Sequence, residues 1–244
     1  MKAERIFVNE CVNTMEAMEE RLKQTSLREG SCVYAGFQQG GVGQDGNVWE
    51  SEADLNLLST FVLYPTFLPP AQQFLLSKVI SLAVYDTILS ESPRSEVWIK
   101  WPNDIYVGHA KAAGILLRTR ISGDRINRAL AGIGINVNQT VFSDKLSNPV
   151  SLKMVDGVDR DIPSFLGILA ANLMAFYDLL ILGEFEWIDH LYYRRLYRLE
   201  QRGKYTINGV EMTARITGVD GYGRLVLKDG KKEFVCDLKE VVYL

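Results

Sequence analysis

Apolar positions recur along this chain with two periods, one suited to strands and one to helices, and the two interleave. The short run Arg5-Ile6-Phe7-Val8 predicts a first strand. Asn13 followed by Glu16 reads as a helix N-cap with its reciprocal carboxylate, and Met15, Met18 and Leu22 then share one helical face. Cys32 to Phe37 predicts a strand, as does Leu55 to Tyr64, a β-rich run stopped at Pro65. Pro69-Pro70 open a long helix, roughly Ala71 to Leu89, in which Phe74, Leu75, Val79, Leu82, Ala83 and Ile88 make a wide apolar stripe. Val97 to Trp101 is a strand ended by Pro102. Ala113 to Ile121 and Ala129 to Val137 pair as a hairpin through Ser122-Gly123-Asp124, and Phe165 to Leu182 is a second long amphipathic helix. Helices mixed with hairpin-connected strands predict an α+β fold with a mixed sheet and flanking helices, not a purely parallel sheet.

The pattern changes after the basic-aromatic connector Tyr192 to Arg198. Short strands now alternate with turn signals: Asn208-Gly209, Asp220-Gly221-Tyr222-Gly223 and Asp229-Gly230. Arg224 to Lys228 alternates like a half-buried strand. Residues 199–244 therefore read as a small five-stranded β-barrel, and residues 1–198 as the domain before it.

Composition narrows the function classes. The chain has 244 residues, 47% apolar and 23% charged, with a net charge of −3, which fits a globular protein with a real core. It has no basic footprint for nucleic acid and no polybasic membrane anchor. No apolar run reaches ~18 residues, so no transmembrane helix is expected. Charged residues through the first twenty positions exclude a signal-peptide core. Cys11, Cys32 and Cys236 are scattered, as in reduced thiols, which points to a cytoplasmic protein. His109 and His190 lie far apart and do not suggest a histidine metal site.

Three segments carry the candidate chemistry. The first is Lys100-Trp101-Pro102-Asn103-Asp104-Ile105-Tyr106 with Lys111-Ala112-Ala113-Gly114-Ile115-Leu116, which puts two lysines, an Asn-Asp pair and a close-approach glycine between strand-like runs. The second is Gln38 to Trp49, with the spacing Gly41-x-Gly43-x-x-Gly46. It follows a strand, but no helix begins at its end, so the dinucleotide-binding context fails. The third is Gly132-Ile133-Gly134-Ile135-Asn136-Val137-Asn138, where a buried strand asparagine needs partners. Residue by residue, alternatives remain. Lys111 reads as a solvated turn lysine or as a point charge for an anion. Asn103 and Asp104 read as an Asx-turn or as loop-presented ligands. Lys100 is a phosphate contact or an exposed strand residue, and Trp101 is packing.

In this order the three blocks resemble the adenylate-forming core of biotin–protein ligases, over about residues 5 to 244. The resemblance implies a class II synthetase-like mixed sheet followed by an SH3-like barrel. It implies the short form of the enzyme, without a DNA-binding domain. It also implies ATP and Mg²⁺ as cofactors, biotin as substrate, a biotin carboxyl carrier domain as partner, and a homodimer through a sheet edge. By resemblance Lys111 touches both the biotin carboxylate and the phosphate, Gly114 and Ile115 line the same pocket, and Asp104 holds Mg²⁺ or positions the ATP phosphates. Gln38 lies beside the bicyclic ring and Asn136 near the ligand. The family loop reads Gly-Arg-Gly-Arg-x-Gly-Arg-x-Trp. Here Gly41, Gly43 and Trp49 are kept, Val42, Gln44 and Asn47 replace the arginines, and Asp45 adds a carboxylate. Many relatives read Ser-Thr-Asn at the ring pocket, where this chain has Cys11-Val12-Asn13. Loss of two hydroxyls is expected to weaken ring binding by roughly 1–3 kcal/mol each. These departures leave a second reading: a degenerate paralogue with a binding or regulatory role, or one acting on another acid.

Overall fold

The computed structural model describes residues 3–244, the side chain of Asp45 excepted. In chain order its elements are β1 (Arg5–Cys11), α1 (Thr14–Gln24), β2 (Cys32–Gln38), β3 (Gly41–Val42), β4 (Val48–Trp49) and β5 (Leu57–Leu63). Next come α2 (Phe74–Glu91), β6 (Val97–Lys100), β7 (Asp104–Val107), β8 (Ala110–Ser122) and β9 (Arg125–Ile135). Three helices follow, α3 (Leu152–Asp156), α4 (Ile162–Ile181) and α5 (Phe185–Arg194). The chain ends in β10 (Arg202–Ile207), β11 (Val210–Val219), β12 (Leu225–Asp229), β13 (Lys232–Cys236) and β14 (Val241–Tyr243).

Seven strands form the main sheet in the order β1-β2-β5-β9-β8-β7-β6. β1 runs parallel to β2 and the other neighbours are antiparallel, the mixed sheet that hairpin-connected strands predict. Side-chain alternation assigns its two faces. Leu57, Phe61 and Leu63 of β5, Ala113 and Ile115 of β8, and Ala129, Ala131, Ile133 and Ile135 of β9 join the main apolar core with α2 and α4. The intervening positions combine Leu58 and Leu116 with Thr60, Gly114, Gly132 and Gly134. They face the side on which α1 packs, where Met15 and Met18 meet Val33, Val62 and Leu130. A row of glycines cannot fill a core, so this face stays open beside α1.

The α2 stripe proves too narrow an expectation. The helix is buried nearly all round, because it is enclosed by the sheet, α4 and α5. Even Lys78 is buried, with its ammonium 2.7 Å from Asp189. By length and composition Pro70–Glu91 and Ile162–Ile181 would each suffice to cross a membrane, which the run-length criterion did not anticipate. Both supply side chains to the apolar core.

The C-terminal strands form an antiparallel sheet, β13-β12-β11-β10-β14. Its first hairpin turns at Asn208 and Gly209, both at positive φ (49° and 80°), as a tight two-residue turn requires. The five strands expected of the small barrel are all present, and among the described residues no ladder joins β13 to β14. This unit is clamped to the larger one. Trp101 Nε1 donates to the Gly223 carbonyl (2.8 Å), and from α5 the Tyr193 hydroxyl donates to the Val219 carbonyl (2.7 Å).

Candidate active site

A cleft of about 720 Å³ opens on the glycine-rich face, between α1, the β3–β4 ribbon and the end of the C-terminal sheet. Its two ends differ in chemistry.

The charged end is built on the β6–β7 hairpin. Lys100 pairs with Asp104 across the Trp101–Asn103 turn, and Asp104 pairs with Gly114 of β8. A register shift at Ile105/Tyr106 follows; such bulges re-aim side chains. Lys111 Nζ lies 2.7 Å from Asp104 Oδ1. The Lys111 backbone is fixed on its other side, donating to the Asn148 carbonyl (2.8 Å) and accepting from Val150 N (2.9 Å). Lys100 is half-buried and donates to the Tyr106 hydroxyl (2.9 Å). Burial holds its ammonium below the usual lysine range, and burial, reinforced by Asp104, pushes the Tyr106 phenol up to about 12. Asn103 and Ile115 clip each other, Nδ2 to the Ile115 carbonyl (2.7 Å) and Ile115 N to the Asn103 carbonyl (2.9 Å). Asn103 therefore shapes the hairpin turn while lining the cleft.

Trp49 lies across the middle of the floor. A Cβ on Gly134 would fall 2.5 Å from Trp49 Cε2, and one on Gly114 would fall 2.9 Å from Cζ3. Those glycines make room for the indole, whereas Gly114 was expected to admit a ligand. Lys111 Nζ stands 5.7 Å from the same ring. Trp49 Nε1 and Gln44 Oε1 are buried with no hydrogen-bond partner in the protein, a state that costs about 1–3 kcal/mol per group and suits a ligand-binding wall.

The other end is lined mainly by hydroxyl and amide groups, with Arg118 beyond Leu116 on the same strand face. The Thr14 and Thr60 hydroxyls lie 2.9 Å apart and buried, and Gln38 Oε1 accepts from Thr14 N (2.8 Å). Asn13 caps α1, accepting from Glu16 N (2.9 Å) and donating from Nδ2 to the Glu16 carboxylate (2.8 Å). Leu116 and Gly132 complete the slot.

The structure gathers Asn13, Gln38, Val42, Gly43, Gln44, Asn47, Trp49, Lys100, Asn103, Asp104, Lys111, Gly114 and Ile115 around this one cleft. Four expected residues fall outside its lining. Val12 is 52% exposed. The Cys11 thiol approaches the Phe37 carbonyl (4.0 Å) and is pushed up by burial and then by Glu16 and Glu10. Both lie where β1 leaves its pairing with β2, a turn before the α1 cap. Gly41 packs between Trp49 and Gln38. Asn136 sits just past β9 and is buried, its amide donating to the Val150 (3.2 Å) and Lys111 (3.4 Å) carbonyls. It braces the Lys111 backbone from outside the cleft.

Thr14, Thr60, Arg118, Lys239 and Tyr243 also line the cleft. Nothing local in the sequence marks Lys239 or Tyr243. Among the described lining residues Asp104 is the one carboxylate, and the described residues contain no cluster of three metal-ligating side chains. A Mg²⁺ ion that arrives with nucleotide phosphates needs only one or two protein carboxylates, and Asp104 fits that part.

Comparison with known proteins agrees with this geometry. Residues 8–138 match the biotin/lipoate A/B protein ligase family. The biotin–[acetyl-CoA-carboxylase] ligase of Paracoccus denitrificans is 31% identical over 92% of this chain and 95% of its own length. The bifunctional ligase/repressor BirA of Bacillus subtilis is 30% identical over 64% of this chain, and the match spans 49% of that longer protein. The fold matches the biotin protein ligase of Aquifex aeolicus, solved with biotin and ATP, with a TM-score of 0.80 at 22% identity, covering 98% of this chain and 97% of that one.

Proposed function

The chain belongs to the biotin/lipoate A/B protein ligase family, and from that premise we infer that it is an ATP-dependent biotin–protein ligase. In the first step a biotin carboxylate oxygen attacks the α-phosphorus of ATP. The bond to the β-phosphate oxygen breaks, pyrophosphate leaves, and biotinyl-5′-adenylate remains. In the second step a lysine amine on the carrier domain of a biotin-dependent carboxylase attacks the acyl carbon. AMP leaves, and the amine gives up its proton to solvent.

The observation that carries this reading is the polarity of the cleft. Lys100 and Lys111, with Asp104, stand at one end, and the hydroxyl and amide groups of Thr14, Gln38 and Thr60 at the other, where Arg118 follows Leu116 on the same strand face. An acid with a neutral polar ring fits lengthwise, carboxylate toward Lys111 and ring toward the threonines. Lys111 stabilises charge where the carboxylate meets the phosphate, and Asp104 holds it in place. Mg²⁺, when bound with ATP, neutralises phosphate charge, and Asp104 is the side chain that would hold it. Lys100 and Asn103 face the nucleotide. The Trp49 ring supports the acyl chain and, with the β3–β4 ribbon, keeps water from the mixed anhydride. We place the catalytic unit at residues 1–198 and the C-terminal unit at 199–244.

The alternative of a degenerate paralogue rested on Cys11, Val12 and Val42. The first two do not line the cleft, and Thr14 and Thr60 supply two hydroxyls that do, so that ground is largely removed.

The test is pyrophosphate release with biotin, ATP and Mg²⁺, followed by mass spectrometry of a carrier domain. Wild type should release pyrophosphate only when biotin is present and should add one biotin to one carrier lysine. Lys111→Ala should lower the first step by about 10²–10³-fold, the usual loss when a charge-stabilising group is removed, with little change in thermal stability. Release within a few-fold of wild type would remove Lys111 from this role.

A further inference from the structure

Lys100 is held differently from Lys111. One oxygen of the Asp104 carboxylate, Oδ1, meets the Lys111 ammonium. The Lys100 ammonium lies instead between two phenol rings, 4.9 Å from the ring centre of Tyr106 and 4.9 Å from that of Tyr243. Tyr106 comes from the neighbouring strand β7. Tyr243 comes from β14, the last strand of the C-terminal sheet, and lines the cleft itself. Its ring is fixed from behind. Tyr205 faces it across the β10–β14 ladder at 5.3 Å, edge-on at 70°, and Tyr197 stacks on it at 6.3 Å.

The difference matters chemically. A carboxylate partner neutralises an ammonium, whereas the face of an aromatic ring attracts the cation through its quadrupole and leaves the charge intact. The Tyr106 phenol oxygen and the Tyr243 ring thus set the direction of Lys100, while Asp104, paired with Lys111, acts on it only through space. That charge stays available to an anion entering the cleft.

We propose that Tyr243 is a positioning residue for the nucleotide: the C-terminal sheet, through this ring, holds the Lys100 ammonium where the ATP phosphates arrive. The C-terminal unit is then a wall of the ATP half of the site. The inference rests on reading the cleft as an ATP-dependent biotin ligase site. A wild-type protein without biotin-dependent pyrophosphate release would defeat that reading, whereas an active wild type whose KM for ATP is unmoved by loss of the Tyr243 ring would defeat the proposal alone.

The experiment compares Tyr243→Phe and Tyr243→Met, measuring KM for ATP, KM for biotin and the binding of biotin alone. Phenylalanine keeps the π face, and methionine fills much of the same volume without it. Tyr243→Phe should stay within about two-fold of wild type. Tyr243→Met should raise KM for ATP by about three- to thirty-fold, the range a cation–π contact is worth, with biotin binding unchanged. In a Lys100→Gln background the methionine substitution should add no further effect on KM for ATP. An unchanged KM in Tyr243→Met overturns the proposal. So does a parallel loss of biotin binding, which would mark general damage to the fold. So does a phenylalanine variant as impaired as the methionine one, which would make the hydroxyl the working group. If Tyr243→Met does not fold, Tyr243→Leu takes its place in the same cycle, with the same outcomes decisive.

Discussion

Lys111 is constrained at three levels, and each acts on different atoms. Its main chain is tied to residues 148 and 150 and braced by the Asn136 amide. Its stem passes Gly114, where a Cβ would stand 3.4 Å from Lys111 Cε. Its ammonium meets Asp104. A side chain fixed this way loses little freedom when a carboxylate and a phosphate arrive, so most of its electrostatic attraction is available to the transition state. The ring end follows a different logic. Its hydroxyls come from Thr14 and Thr60, which already bond each other, so a ureido group would exchange one neutral hydrogen bond for two. Cys11 and Val12 lie outside that exchange. The double variant Cys11→Ser/Val12→Thr should therefore change biotin affinity by less than about three-fold, under 1 kcal/mol. A gain of ten-fold or more, read by calorimetry, would return that corner to the ring site and discount the threonine pair.

At the scale of elements, the β3–β4 ribbon has one fixed end and one exposed end. Trp49 is locked over Gly114 and Gly134, whereas Val48 is 73% exposed and Val42 is 40% exposed. Among the described residues two ladder pairs hold the ribbon, Gly41↔Trp49 and Val42↔Val48, with one more bond from Gly43 N to the Asn47 carbonyl (2.6 Å). Ligand-dependent protection from hydrogen exchange should therefore concentrate at residues 43–48, with the Trp49 amide changing least. Equal protection of residues 43–48 with and without biotin, ATP and Mg²⁺ would count against closure of this ribbon over the adenylate. The same contrast explains what the sequence could show. Strands β5, β8 and β9 were legible because a β-rich run stopped by Pro65 and a hairpin with a Ser-Gly-Asp turn are local signals. Lys100, Asp104 and Lys111 were legible as one block because three consecutive antiparallel strands, β6, β7 and β8, carry them within twelve residues. The purpose of Gly114 was not, since the indole that fills its space comes from a ribbon more than sixty residues earlier. Cys11 and Val12 were misplaced because the exit from β1 into the α1 cap decides which side chains turn inward, and a linear motif does not record that turn. The wide burial of α2 was hidden for a related reason, since its outer neighbours α4 and α5 lie about a hundred residues on.

At the scale of the whole molecule, the residues that read as two domains share one apolar core. Ile99, Trp101 and Leu76 belong to the same buried cluster as Tyr205, Ile207, Ile216, Leu225 and Leu227. Polar contacts reinforce the seam: Trp101 Nε1 to the Gly223 carbonyl, and the Tyr193 hydroxyl to the Val219 carbonyl. A small sheet of this size buries too little surface to be comfortably stable alone, so the larger unit is its second layer. Unfolding the C-terminal sheet would expose the α2 and β6 side chains that it covers and would remove Tyr243 and Lys239 from the cleft. The two units should therefore unfold together, in one calorimetric transition whose van't Hoff and calorimetric enthalpies agree. Trp101→Phe keeps the ring packing and deletes one seam hydrogen bond, leaving the Gly223 carbonyl unpaired, so it should lower stability by about 1–3 kcal/mol without splitting that transition. Two resolved transitions in the wild type, the smaller one unaffected by biotin and ATP, would show that the C-terminal sheet folds on its own and that the shared core does not couple it to the site.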